Sequence, residues 1–500
     1  MTGPATCHDL ERFRAVLVGR IGLHFDDARL GFLGEVLQRR LDHLGRPSNA
    51  YLNDLERCPP AGEIGALARE LTVCETYFFR NREQFQALAE IALPERMRAR
   101  QRPGELRLLS AGCASGEEAY SIAIVARETI ADPAWTVMVQ AVDINPTALA
   151  KAAAARYSSW AFRDTPPDLQ RKWFRPDGPE MRLDETVRGA VRFATGNLAD
   201  ANSDLWPGAG YDVIFCRNVL MYFAPEQMRL AIERIAHALA PGGFLFLGHV
   251  ETLRGVSDAF HLRHTHGTFY YQRKEGGAFV RSSAAGPTML WQTPPPADAA
   301  FDATWVETIR TASERVATLV PSTPPGSARV VPAAWDTAPV LDLLRQERFA
   351  DALTHLRDGL PEADRDTDML LLEAALLAQI GQFAAAEIAC RRLIVIDELN
   401  AGAHYVLALC REHVGDRDGA GEHDRIAAYL DPAFAMPRLH RGLLARRAGD
   451  PDTARRELGQ ALILLRREDA ARLLLFGGGF NRGTLVSLCE TAFRDCGGQT

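Results

Sequence analysis

Gly381, Gly415 and Gly449 recur at intervals of 34 residues, and each is followed five residues later by an alanine: Ala386, Ala420 and Ala454, with Ala352 one period earlier. A repeat of this length is one helical hairpin. The glycine reaches the positive φ that a tight turn between helices demands, and the alanine lets the two helices approach closely. A single hairpin cannot bury its own apolar face, so the units must stack into an α-solenoid, expected over residues 339–467 with Leu430-Asp431-Pro432 closing one unit. Residues 468–500 read as a C-terminal tail.

The rest of the chain divides by pattern. Residues 276–338 carry Pro287, Pro294–Pro296, Pro321, Pro324, Pro325 and Pro332 among Ala, Ser and Thr, which makes them a linker, with a helix expected inside it at Thr304–Leu319. Between 101 and 275 short apolar runs alternate with amphipathic stretches. Strands are expected at Leu106–Leu109, Thr136–Val142, Tyr211–Cys216 and Gly243–Gly248, and helices at Glu117–Thr129, Pro146–Arg156 and Pro225–Ala240. That alternation predicts an α/β, Rossmann-like, doubly wound parallel sheet, closed by a hairpin around Thr265–Gly267 and interrupted by an insertion at 157–193. Residues 1–100 read as a helical domain, with helical spacing of apolar residues from Ile21 to Leu44 and again from Glu63 through Phe79 to Leu93, Pro94 lying near the end.

Composition narrows the class. A formal charge of −7 argues against a protein that holds nucleic acid mainly by neutralising phosphates. No apolar run reaches the ~18 residues a membrane span needs, and the first residues have no signal-peptide core, so no membrane insertion is expected. The 9 cysteines are odd in number and never in C-x-x-C spacing, which points to a reducing, cytoplasmic setting. His261, His264 and His266 flank the expected hairpin turn without neighbouring cysteine or carboxylate, so no metal site is expected.

The segment Leu106-Arg107-Leu108-Leu109-Ser110-Ala111-Gly112-Cys113-Ala114-Ser115-Gly116-Glu117-Glu118 is a strand, a small-residue loop and a helix start. Such a loop lets backbone approach a ligand closely. A pyrophosphate favours a helix N-terminus free of carboxylates, whereas two glutamates stand here, suiting a ligand with positive charge or many hydroxyl donors. Asp143, ending the second strand, can accept hydrogen bonds from ribose hydroxyls. Together these point to S-adenosyl-L-methionine ahead of NAD. A third strand delivers Arg217 and Asn218 to its C-terminal end, with Tyr222 one turn on.

Several motifs in order then carry a resemblance: Glu75-Thr76-Tyr77-Phe78-Phe79-Arg80, the Ser110–Tyr120 loop, Asp143-Ile144-Asn145, Gly196-Asn197-Leu198 and Cys216-Arg217-Asn218-Val219. Over roughly residues 8–274 the chain resembles CheR-type methyltransferases, which esterify glutamates of bacterial chemoreceptors. The resemblance implies S-adenosyl-L-methionine as cofactor, with S-adenosyl-L-homocysteine as product, and contacts to it from Thr76, Arg80, Gly112, Glu117, Asp143, Asn197, Leu198, Arg217 and Asn218. It also places Cys74 in the cofactor site, where the family usually has asparagine. Arg80 and Tyr222 would stand at the methyl-transfer centre as catalytic residues. The insertion 157–193 would be a small receptor-touching β-subdomain, and Arg39 and Arg40 would face the substrate, the cytoplasmic domain of a methyl-accepting receptor. The 34-residue units resemble tetratricopeptide repeats, whose groove implies a protein partner. Repeats behind such a domain, with the tail Leu474–Arg482, resemble the methyltransferase of Wsp-type surface-sensing systems, which act on biofilm formation.

Two other readings use the same residues. The first keeps the cofactor but changes the acceptor to nucleic acid or a small molecule; nucleic-acid methylases carry an N/D-P-P-Y/F tetrapeptide or a Pro-Cys nucleophile, and neither is present. A scaffold with a weakly active cofactor domain would not need Arg80, Asp143, Asn218 and Tyr222 together.

Overall fold

The computed structural model describes residues 6–60, 62–100, 104–201, 203–249, 251–275, 338–346, 348–359, 366–478 and 480–498. The chain forms two compact units, Met1–Ser283 and Ala284–Thr500. Their boundary, the linker expected at 276–338 and the helix expected at Thr304–Leu319 lie outside the described residues, apart from Ala338, which begins a helix.

Among the described residues of the first unit there are ten strands: β1 (Glu105–Ala111), β2 (Thr136–Asp143), β3 (Arg156–Tyr157), β4 (Phe174–Asp177), β5 (Glu180–Leu183), β6 (Val191–Thr195), β7 (Tyr211–Cys216), β8 (Leu239–Leu247), β9 (Phe260–Thr265) and β10 (Thr268–Arg273). Seven form one sheet in the order β6-β2-β1-β7-β8-β10-β9. The first five run parallel, and β10 is antiparallel to both neighbours. Every residue of β7 is buried, as a strand covered on both faces requires. Helices Glu117–Thr129, Pro146–Ala154 and Pro225–Ala238 supply the cover, and Phe215 stacks on Phe85 and Phe246 in the core. The reversal of strand order beside β1 opens a crevice at the C-terminal strand ends, where such sheets bind ligands.

The hairpin turn falls at His266 and Gly267, with φ of 53° and 72°, the two positive values a tight hairpin favours. His266 faces Glu90 at 2.9 Å and His264 packs on Phe269. The 157–193 insertion holds a separate small sheet, β3-β5-β4, but its last residues belong to β6 at the edge of the main sheet. Strand β6 was not legible in the sequence because its pattern is mostly exposed.

The first hundred residues depart further from the periodic reading. Helices Cys7–Ile21 and Leu30–Leu44 are separate, because Gly22 takes φ 88° and ends the first, and Asp26 caps the turn before the second. Helix Glu63–Leu71 stops well before Phe79, and residues 72–80 are not helical. The next helix starts at Arg82, widens into a π turn at Leu88–Ala92 and continues through Pro94 to Ala99, the wide turn absorbing a residue with no N–H to donate.

The second unit stacks helical pairs: Ala338–Arg345 with Phe349–Gly359, Thr367–Gln379 with Phe383–Ile396, Ala401–His413 with Arg417–Leu430, and Ala435–Arg447 with Pro451–Leu465. Gly381, Gly415 and Gly449 have φ of 77°, 83° and 76° with open space where a Cβ would stand, so backbone conformation is what demands glycine. Ala352, Ala386, Ala420 and Ala454 are fully buried. The expected tail is helical too, with Ala470–Phe476 and Asn481-capped Arg482–Asp495 burying Leu473, Phe476, Leu485 and Cys489.

A buried charge network joins the third and fourth pairs. His440 lies between Asp424, 2.7 Å from Nδ1, and Glu412, 2.8 Å from Nε2. Burial opposes its charge, but the two carboxylates outweigh it and raise the imidazole from 6.5 to about 9. Glu412 is held down at about 2, chiefly by His440, while burial pushes Asp424 up to about 6. Since folding tightens proton binding at His440, its contribution is complete below pH 6.5 and is lost as pH rises through about 9. The thermal midpoint of the helical repeats, followed by circular dichroism between about pH 7 and 10, is expected to fall, and His440→Gln to flatten that fall.

Candidate active site

The cleft at the C-terminal strand ends is built from four stretches of backbone. After β1 the chain turns at Gly112, φ 80°, where a Cβ would come 2.3 Å from Val219 Cγ2; only glycine lets these loops meet. The Gly112 and Cys113 amides both donate to Val142 O, and Ala114 N donates to Asp143 Oδ2 at 2.8 Å. Gly116, φ 94°, then brings the following helix against Ala152. Asp143 Oδ1 accepts from Asn145 N at 2.8 Å, which fixes the carboxylate at the end of β2.

The non-helical stretch 72–80 forms a second wall. Phe79 and Asn81 hold φ of 58° and 65°, so Arg80 sits between two residues in the left-handed region. Such backbone persists only where the surroundings enforce it. Phe79 N donates to Ser121 Oγ at 3.0 Å, and the Arg217 guanidinium donates to Arg80 O at 2.6 Å and Asn81 Oδ1 at 2.7 Å. Arg217 Nε lies 3.6 Å from Glu118 Oε2 and has no hydrogen-bond partner of its own among the described residues. The loop at the end of β7 thereby grips the loop that presents Arg80.

Past Arg217, Asn218 has φ 58°, and a short 3-10 turn, Leu220–Tyr222, carries the tyrosine to the rim. This turn is latched to the N-terminal helices. Leu23 bridges Phe223, His24 N donates to Tyr222 O at 2.7 Å, and Ala224 N donates to Gly22 O. Asn197 Nδ2 adds a bond to Arg20 O at 2.7 Å.

One pocket is lined by Cys74, Thr76, Arg80, Gly112, Asp143, Asn197, Leu198, Arg217, Asn218 and Tyr222, which brings together ten of the residues singled out in the sequence. Glu117 is not among them. It is buried beside Ser115 Oγ, whereas its neighbour Glu118 lines the pocket and accepts from Ser110 Oγ at 2.7 Å. Of two adjacent glutamates, helical geometry turns the second inward, a choice that composition alone does not reveal. Ile21, His24, Phe25 and Arg29 also line the pocket and went unnoticed in the sequence, because only the Gly22 break folds them back over the strand ends.

Burial raises Glu118 and Asp143 above the usual carboxylate range, partly offset by Arg217 for the first and by the Asn145 and Ala114 amides for the second. Burial likewise lowers Arg217, with Glu118 opposing it. Two partly buried carboxylates with spare acceptor capacity, one beside a small-residue loop, fit a ligand carrying an ammonium group and ribose hydroxyls. Among the described residues no group of three or more His, Cys, Asp or Glu could hold a metal.

The family description "CheR methyltransferase, SAM binding domain" matches residues 74–269. Chemotaxis protein methyltransferase 2 of Vibrio cholerae is 35% identical over 286 residues, 55% of this chain and 96% of that protein. The probable biofilm formation methyltransferase WspC of Pseudomonas putida is 31% identical over 449 residues, 89% of this chain and 96% of that protein. Its Pseudomonas aeruginosa counterpart is 29% identical over 460 residues, with the same coverage. The crystal structure of PcrH from Pseudomonas aeruginosa is 19% identical over 28% of this chain, with a TM-score of 0.23.

The two arginines expected to face a substrate differ. Arg40 is turned inward: its guanidinium makes two bonds to Glu63, at 2.9 and 2.7 Å, and that carboxylate also accepts from Tyr51 OH. Arg39 is half exposed and pairs with Glu70. Neither lines the pocket, whereas Arg29 does, and it makes no ion pair among the described residues. Arg40→Ala strands a buried carboxylate and is expected to cost ~3 kcal/mol or more of stability. Arg39→Ala is expected to cost ~1 kcal/mol or less. Chemical denaturation of the two variants checks this.

Proposed function

The chain belongs to the CheR methyltransferase family, and from that membership and the shared pocket we propose that it moves a methyl group from S-adenosyl-L-methionine to glutamate carboxylates of a methyl-accepting receptor. The observation that carries the reading is a single pocket in which Arg80 and Tyr222 share walls with Asp143 and Glu118. Coverage of 89% of this chain by the biofilm-formation relative supports a Wsp-like setting rather than a free-standing chemotaxis enzyme. Cytoplasmic action suits nine free cysteines, and among the described residues no helix is long and apolar enough to cross a membrane.

In this reading Asp143 accepts from ribose hydroxyls, Glu118 receives the ammonium group, and the turn at Gly112 gives the ligand backbone contact. Thr76, Leu198, Asn218 and Cys74 complete the enclosure. The Asn197 amide is already bonded to Arg20 O and Ala199 N, so Asn197 would contribute mainly through its backbone. When bound, the cofactor supplies an electrophilic methyl on a sulfonium. A glutamate acceptor, with a pKa of ~4.3, is ionised at neutral pH and needs no general base. Arg80, held by Arg217, keeps that carboxylate charged and aims it, while Tyr222 donates to it or lines the methyl path. Alignment of reactants can be worth ~7–11 kcal/mol of barrier, which matches a site rich in positioning contacts and poor in proton carriers.

Arg29 and His24, on the pocket rim, take the role expected of Arg39 and Arg40 in meeting an acidic receptor helix, by steering more than by tight binding. The repeats of the second unit take a protein partner, and the small sheet β3-β5-β4 is proposed to touch the receptor.

Purified protein incubated with methyl-labelled cofactor and receptor-bearing membranes is expected to yield label released by mild base, the mark of a glutamyl ester; base-stable label would sink the reading. Tyr222→Phe is expected to lower turnover more than cofactor affinity, and equal losses by calorimetry and methyl transfer would remove its proposed role. Glu118→Gln is expected to weaken cofactor binding about tenfold or more and Glu117→Gln less than about threefold, by calorimetry, since a charge-assisted bond is worth ~1.5–3 kcal/mol.

A further inference from the structure

We infer that Glu251 is a positioning residue of the transfer site, holding from behind the backbone that presents Asn218 and Tyr222; the inference rests on the methyl-transfer reading above. Strand β8 ends at Leu247, and the chain then turns so that Glu251, 4% exposed, lies beneath the end of β7. Its Oε2 accepts from Gly248 N at 2.7 Å and Asn218 N at 2.8 Å, and its Oε1 from Val219 N at 2.9 Å and Met221 N at 3.2 Å. Among the described residues, four amides from two loops thus converge on one carboxylate. Glu251 does not itself line the pocket, so any effect on the reaction passes through the segment it holds.

The arrangement answers a problem set by the backbone. Asn218 has φ 58°, and the chain from Arg217 to Met221 follows neither a strand nor an α-helix, so its amides have no repetitive partners. Buried N–H groups left unpaired cost ~1–3 kcal/mol each, and a loop with several would rearrange. A carboxylate is an acceptor-only group with about four lone-pair sites, which matches four inward-pointing amides. The turn is closed tightly around it: a Cβ on Gly248 would stand 2.7 Å from Glu251 Oε2 and 2.9 Å from Asn218 Nδ2. Burial pushes the carboxyl pKa up, and the Gly248, Asn218, Met221 and Val219 amides act against that by favouring the charged form. On the other side, Tyr222 O accepts from His24 N and Tyr222 N donates to Val219 O. The catalytic segment is therefore held between the N-terminal latch in front and Glu251 behind.

Glutamine in this place keeps the size but not the pattern. One oxygen still accepts, while its NH2 group confronts two of the amides. Cofactor affinity draws on Thr76, Gly112, Glu118 and Asp143 as well as Asn218 and should change little. The alignment of methyl and acceptor depends on the segment directly, and a displacement of about 1 Å can cost about 100-fold in rate.

The test compares full-length wild type, Glu251→Gln and Glu251→Asp. Hydrogen exchange is followed at residues 217–223 and in β1, affinity for S-adenosyl-L-homocysteine by calorimetry, and kcat and KM with receptor-bearing membranes as acceptor. Glu251→Gln is expected to speed exchange at 217–223 about tenfold or more while β1 stays protected, to lower kcat about 10- to 100-fold, and to leave homocysteine-product affinity within about threefold, with Glu251→Asp recovering part of each. Unchanged exchange at those amides overturns the inference, whatever the activity. So does a loss of kcat that comes with faster exchange in β1 and a lowered thermal midpoint, which would make Glu251 a support of the fold alone. If wild type itself transfers no methyl group, accelerated exchange still upholds the anchor, and it is the proposed reaction that falls.

Discussion

A guanidinium with almost no access to solvent ties the catalytic unit together. Arg217 comes off the end of β7 and spends its donors on Arg80 O and Asn81 Oδ1, with Glu118 near its Nε. Burying such a charge is costly unless it is paired and hydrogen-bonded. Here the compensation comes from two separate stretches of chain: the first turn after the small-residue loop, and Arg80 and Asn81 at the end of the non-helical stretch. The arginine can be satisfied only if those stretches meet at the strand end. Meeting there is also what creates the pocket, so the cost of the buried charge and the assembly of the site are one problem with one solution.

The same logic explains where strain is kept. Phe79, Asn81, Ala114 and Asn218 all hold positive φ, and all lie on or beside the pocket wall. Each is held from outside: Phe79 by Ser121, Asn81 by Arg217, Ala114 by Asp143, Asn218 by Glu251. Side-chain oxygens and one guanidinium thus perform for irregular backbone what ladders perform for strands. The N-terminal helices add the last restraint through Leu23 and His24, and in doing so cover the strand ends with a rim that contains Arg29.

What was legible in the sequence follows from period. Buried strands and amphipathic helices repeat a local rule, so β7 and helix Glu117–Thr129 were readable to the residue, and the 34-residue spacing gave the helical pairs. The failures occur where a long-range contact overrides local preference. Residues 72–80 look helical by apolar spacing but are held out of a helix by Arg217 and Ser121. Ile21–Leu44 looks like one helix but is broken where Leu23 pairs with Phe223. Strand β6 was hidden because an edge strand with exposed side chains has no apolar period. That Glu118 rather than Glu117, and Arg29 rather than Arg40, lines the pocket is a consequence of these folds-back and not of residue type.

The cysteines complete the chemical argument. A sulfonium methyl is an electrophile, and a thiolate is a far better nucleophile toward it than a carboxylate. Cys74 lines the pocket, Cys113 sits in its loop, and Cys216 precedes Arg217. All three thiols are pushed up by burial, with Asp143 adding to the effect at Cys74 and with Asp143 and Glu118 adding to it at Cys113. Held protonated, they are poor nucleophiles at neutral pH. Burial first, and the nearby carboxylates second, therefore weaken the thiols that would compete for a cationic cofactor's methyl group. In the proposed reaction, an ionised substrate carboxylate delivered from outside to face Arg80 then meets little competition from these thiols.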